Sequence, residues 1–139
     1  MFLPGAALLG MFFGSGFNSA LNWNLTGVTS VAQMFQDAHQ LNQPITFSNT
    51  ELVNNANGMF RGATSFNQPV NFDTSNVADM TLMFDGATSF NKPLNFNTSK
   101  VTHMNGMFDS ATSFNQPVNF DTRNVADMSF MFSGATRFN

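Results

Sequence analysis

Residues 59–82 and 107–130 of this chain are identical at nineteen of twenty-four positions, and residues 83–106 are a looser copy of both. Six Met-Phe pairs, at 11–12, 34–35, 59–60, 83–84, 107–108 and 131–132, set successive spacings of 23, 25, 24, 24 and 24 residues. A fixed period in this range belongs to stacked repeat units, each too small to bury its own apolar side. The one-residue irregularities fall in "FNSALNW" and "FSNTELV". Changes of that size suit turns, which tolerate insertions that packed elements do not. The reading is one repeat array over 1–139. It has a degenerate preceding turn at 1–10, repeats at 11–33, 34–58, 59–82, 83–106 and 107–130, and a partial repeat at 131–139.

Each unit has two periods. From Val77, apolar residues fall at Met80, Met83, Phe84 and Ala87, the face of a short helix. The "DTSN" before it offers N-caps, and Gly62, Gly86 and Gly134 suit helix stops. The segment "PVNFD" alternates instead, with Val70 and Phe72 on one side and Asn71 and Asp73 on the other, which is strand period. The expectation is an α/β solenoid with one short parallel strand and one short helix per repeat of about 24 residues. Its core columns run Trp23, Phe47, Phe72, Phe96, Phe120 and Leu21, Ile45, Val70, Leu94, Val118.

The stretch "VADMTLMFDGATSFNKPLNFNTSKVTHMNGMF", residues 77–108, resembles the BspA-like leucine-rich-repeat surface proteins, and within them a mycoplasma-type repeat domain of unknown function. The likeness covers about residues 11–139 and is strongest from Val53 onward. It departs in using Phe72, Phe96 and Phe120 where the family often has Trp, kept here as Trp23, and in "QP" or "KP" before the strand. The resemblance implies a leucine-rich-repeat-like, right-handed coil on a secreted or cell-surface protein that serves adhesion or other protein contact rather than catalysis. It brings no set of functional residues, and the lipoprotein cysteine of some members has no counterpart in a chain without cysteine.

Composition narrows the function. Eighteen Phe, ten Met, one Trp and no Tyr demand burial, while only 9% of residues are charged, so solubility rests on Asn, Thr, Ser and Gln. A net charge of −3 without a basic cluster excludes an electrostatic nucleic-acid footprint. The apolar run in "MFLPGAALLGMFFGSGFNSA" is too short to span a bilayer and lacks the basic residues that precede a signal core. No nucleophile–base set, phosphate loop or cation-loop pattern stands out, so neither enzyme activity nor a metal or cofactor is expected.

Several polar residues recur by place. Asn67, Asn91 and Asn115, with Asn139, Asn18 and Asn42, form a column suited to an amide ladder. Asn71, Asn95 and Asn119 fall on the outer strand face, a regular polar surface for contact with protein or glycan. Asn24 in "NLT" and Asn97 in "NTS" satisfy the glycosylation sequon. The Thr64, Thr88, Thr112 and Thr136 column raises a narrow ice-binding reading. His39 and His103 occupy different places in the unit, and Asp73 and Asp121 read as turn or helix caps. The last repeat carries no atypical capping segment, so the array is expected either to be part of a longer one or to meet another chain. The partner classes are therefore protein, including a second copy in a homo-oligomer or filament, or glycan.

Overall fold

The computed structural model describes residues 3–139, and no helix forms among them. Four short strands do: β1 (Ala6–Ala7), β2 (Leu21–Asn24), β3 (Val28–Ser30) and β4 (Ile45–Ser48). They make two separate parallel pairs, β1 with β3 and β2 with β4, and neither sheet closes on itself. Leu21 lies opposite Ile45, and Trp23 opposite Phe47. The first ladder carries on through the chain as single parallel bridges that link Ser30, Asn55, Asp79, His103 and Asp127. The second stops at β4, and its equivalents at 70–73, 94–97 and 118–121 form no strands.

The α/β solenoid expectation therefore fails, and the leucine-rich-repeat-like coil with a helix in each repeat fails with it. The segment expected to be helical is a run of β-turns. Each coil is numbered by its Met-Phe pair and includes the turn leading into it; in the third, that of Met59 and Phe60, the Met59 N–H donates to the Ala56 carbonyl (3.2 Å) and the Ala63 N–H to the Phe60 carbonyl (3.0 Å). The third residues of these two turns, Gly58 and Gly62, have φ of 60° and 68°, the left-handed conformation that a type II turn requires there. Alternate donors leave the coil, while the Asn57 and Arg61 N–H groups stay within it on Asn55 Oδ1 and the Gly58 carbonyl. Ala56, Gly58, Phe60 and Gly62 donate to the carbonyls of Asp79, Thr81, Met83 and Asp85 in the next coil, at 2.7–3.0 Å. A helix would have spent those N–H groups on residues four back in its own turn.

The error has a plain cause. A β-turn closes on its fourth residue, so two turns in succession bring residues at offsets 0, 3, 4 and 7 to one side, the same offsets as a helix face. Gly62, Gly86 and Gly134 stop no helix; each is the left-handed third residue of the second turn. The supposed N-cap segment is a turn as well, in which the Val77 N–H reaches the Thr74 carbonyl at 2.9 Å and the Ser75 N–H reaches Asp73 Oδ1 at 2.9 Å.

Side chains in the left-handed places lean on the following coil. Leu82 (φ 55°) covers Gly106, where an added Cβ would come within 2.6 Å of Leu82 Cδ2. Asp37 covers Gly62 in the same way. A bulky residue in one coil thus calls for a glycine in the next.

The core is built from phenyl columns. Phe12, Phe35, Phe60, Phe84, Phe108 and Phe132 stack coil on coil with ring centroids 5.4–5.6 Å apart. Phe66, Phe90, Phe114 and Phe138 form a second column at 5.9–6.0 Å. Within a coil the two columns touch, as at Phe84 and Phe90, 4.2 Å apart. Leu41 fills the second coil's place in the latter column. Met34, Met59, Met80, Met83, Met104 and Met107 are fully buried beside them, which makes the methionines packing material.

Candidate functional site

The outer surface of the segments 70–73, 94–97 and 118–121 carries a regular column of exposed asparagines. Val70 is buried while Asn71 is exposed, and Asn95 and Asn119 are exposed at the equivalent places. Asn22 and Thr46 precede them in the same column and face one another across β2 and β4. Exposed prolines at 44, 69, 93 and 117 run alongside. Where the backbone ladder stops after β4, a shallow cleft opens between Pro44, Ile45, Thr46, Pro69 and Asn71.

Two side-chain ladders border these segments. On one side, the Oδ1 of Asn18, Asn42, Asn67 and Asn91 accepts the backbone N–H of Asn42, Asn67, Asn91 and Asn115, each at 2.9 Å. Asn115 accepts from Asn139 at 3.1 Å. The bonds run from backbone to side chain, so each amide oxygen is occupied by the protein itself. On the other side, the buried hydroxyls of Thr50, Thr74 and Thr98 donate to the carbonyls of Asp73, Asn97 and Asp121 in the next coil. The sequence offers Thr74 and Thr98 among the N-caps of "DTSN" and "NTSK" and gives Thr50 no role. Their recurrence at one place in the unit was visible, but their direction depends on the stacking.

Asp73, Asn97 and Asp121 follow one another in one column of the stack, and Thr64, Thr88 and Thr112 in another. Asn24 and Asn97 are exposed, and each Oδ1 accepts from the third sequon residue, Thr26 (2.9 and 2.6 Å) and Ser99 (3.1 and 2.8 Å). His39 is exposed, and His103 Nδ1 lies 2.9 Å from Thr102 Oγ1. The Ser75 hydroxyl and N–H hold the Asp73 carboxyl below its ordinary value, and Arg123 does the same to Asp121. Thr88 and Thr112 turn their hydroxyls onto the carbonyls of Thr64 and Thr88. Among the described residues, no three His, Asp or Glu side chains converge as metal ligands, and no helix is long and apolar enough to cross a membrane.

A family model described as Mycoplasma protein of unknown function, DUF285, matches residues 6–93 and again residues 70–139. The chain belongs to this family. The two overlapping matches fit a chain made of repeats, as the phenyl and asparagine columns do. No curated protein and no solved structure shows significant similarity to it.

One charged cluster went unnoticed in the sequence of this family member. Arg61 Nε donates to Asp85 Oδ2 at 2.9 Å from the adjacent coil. Burial pushes the Asp85 carboxyl above its ordinary 3.8, Arg61 pulls it down, and Asp109 and Asp37 add repulsion. Replacing Arg61 with Gln removes the restraint, so the Asp85 carboxyl carbon should titrate at higher pH by NMR. For a carboxyl raised in the folded state, the stabilisation is complete below the unfolded value and is lost as pH rises through the folded one. Arg61→Gln should therefore weaken the fold above that range and leave it little changed near pH 3. A titration unmoved by the substitution would refute the pairing.

Proposed function

We propose that this chain is a non-enzymatic interaction module of a secreted or surface-displayed repeat protein, touching protein or glycan through the outer face that carries Asn71, Asn95 and Asn119. The observation that supports it is the exposed amide column on segments pinned at both ends by side-chain ladders. Such a face presents identical donors and acceptors at the interval of the stack, which suits a repetitive partner. The resemblance to BspA-like surface proteins favours display outside the cell. Replacing all three asparagines with alanine should change stability by no more than about 0.5 kcal/mol, as for surface positions generally, and abolish binding on an array of immobilised glycans and extracellular proteins. Binding that survives the triple substitution would rule this face out.

A further inference from the structure

Two asparagines of this chain, Asn57 and Asn105, are followed directly by glycine. Glycine has no Cβ to block approach, so its nitrogen can reach the side-chain amide carbon of the asparagine before it. The stack holds both pairs away from that reaction. Each glycine is the left-handed third residue of a turn, with φ of 60° at Gly58 and 61° at Gly106, and each is buried. The Gly58 N–H donates to the Thr81 carbonyl and the Gly106 N–H to the Ser129 carbonyl, both at 2.8 Å and both in the next coil. The nitrogen that would attack is thus committed to the neighbouring coil.

The asparagine side chains are tied across coils as well. Asn57 Nδ2 donates to Asp79 Oδ2 at 3.4 Å, and Asn105 Oδ1 accepts from Thr81 Oγ1 at 3.0 Å. Leu82 closes over Gly106 from the coil before it. Elsewhere in this column the residue in the asparagine's place is Leu9, Ala32, Thr81 or Ser129, none of which has a side-chain amide.

We propose that Asn57–Gly58 and Asn105–Gly106 are self-modification sites that the stack keeps sealed, and that opening the junction beyond either one permits a covalent change that keeps it open. The glycine nitrogen bonds to the asparagine Cγ, the Cγ–Nδ2 bond breaks, and the proton lost by the glycine nitrogen leaves with the amide nitrogen as ammonia. Water then adds to one carbonyl of the cyclic imide and breaks its bond to the glycine nitrogen, which regains a hydrogen. Addition at Cγ leaves an aspartate, and addition at the main-chain carbonyl leaves a backbone link through the side chain, one carbon longer. At Asn57 both products oppose reclosure. An aspartate there faces the Asp79 carboxylate to which the amide now donates. The longer link moves the Gly58, Phe60 and Gly62 N–H groups out of register with the Thr81, Met83 and Asp85 carbonyls. At Asn105 only the longer link does so, because a carboxylate oxygen still accepts from Thr81.

The test incubates the wild-type chain at mildly alkaline pH, folded and in urea, and follows both sites by peptide mapping with mass spectrometry. Reaction at Asn57 and Asn105 should be at least about tenfold slower in the folded chain, since it waits on local opening. It should slow by the same factor as hydrogen exchange at the Gly58 and Gly106 N–H groups. Equal rates in folded and unfolded chains would overturn the seal. Folded chain that has reacted at Asn57, once repurified, should exchange its Phe60 and Gly62 N–H groups faster than unreacted chain, and unchanged exchange would overturn the lock. Asn57→Asp should quicken the same two groups, while Asn105→Asp should leave the Phe108 N–H as slow as in the wild type. Equal effects of the two substitutions would overturn the part assigned to Asp79.

Discussion

Replacing Phe84 with alanine should cost about 4 kcal/mol, within the range for emptying a buried phenylalanine site. Phe84 is fully buried and packs against three rings: Phe60 and Phe108 at 5.6 Å above and below, and Phe90 at 4.2 Å within its own coil. Each such pair adds about 0.5–1.5 kcal/mol beyond the area it buries. The columns leave little room for collapse into the void, because every neighbouring ring is tied to a ring of its own. In a stack held by nearest-neighbour contacts, the loss should also divide the array. Hydrogen exchange should then accelerate at the coil 3 to coil 4 junction, at Phe60 N–H and Gly62 N–H, before it does so elsewhere. Phe132→Ala gives the comparison, since Phe132 is half-buried and has a column neighbour, Phe108, on one side only. Denaturant unfolding should find it less than half as costly. Equal costs for the two substitutions would mean that the columns do not carry the stability of the stack.

Much of this architecture was legible in the repeat, and the part that was not has a definite physical origin. The period alone put Leu21 beside Ile45 and Trp23 beside Phe47, since stacked copies align like with like. It also aligned Asn67, Asn91 and Asn115, whose ladder follows once the coils are stacked. The helix was the failure. Val77, Met80, Met83, Phe84 and Ala87 keep the spacing of a helix face, and a pair of β-turns keeps it too. One signal separated the alternatives: Gly58 lies in the middle of the supposed helix, where it would cost about 1 kcal/mol relative to alanine. Leu82 and Phe130 hid that signal in other copies, because they take the left-handed place without being glycine. The Arg61–Asp85 pair was hidden for another reason. It joins adjacent coils at a place where no other copy has arginine, so no column announced it.

Thr74→Val should cost about 2 kcal/mol, through lost hydrogen bonding rather than lost volume. Thr74 is 2% exposed, and its hydroxyl both donates to the Asn97 carbonyl at 3.1 Å and accepts the Asn97 N–H at 2.9 Å. Valine keeps the shape and leaves both backbone groups without that partner. Thr74→Ser keeps the hydroxyl and gives up one methyl group, about 1 kcal/mol, so the serine chain should unfold at higher denaturant than the valine chain. A valine chain at least as stable as the serine chain would mean that this ladder contributes nothing. The comparison bears on why the threonines stand where they do. The first coil has Leu25 at the corresponding place, with its N–H bonded to the Ser48 carbonyl at 2.9 Å beside the β2–β4 backbone ladder. Beyond β4 that ladder is gone, and Thr50, Thr74 and Thr98 stand at the same place with buried hydroxyls on the backbone of the next coil. Where strand pairs with strand, an apolar residue suffices; where it does not, a side chain supplies the bond between coils. The same bonds hold the segments that carry Asn71, Asn95 and Asn119. Amide exchange at Asn97 should therefore quicken in the valine chain and not in the serine chain, and with it the fixed spacing on which the proposed contact face depends should be lost.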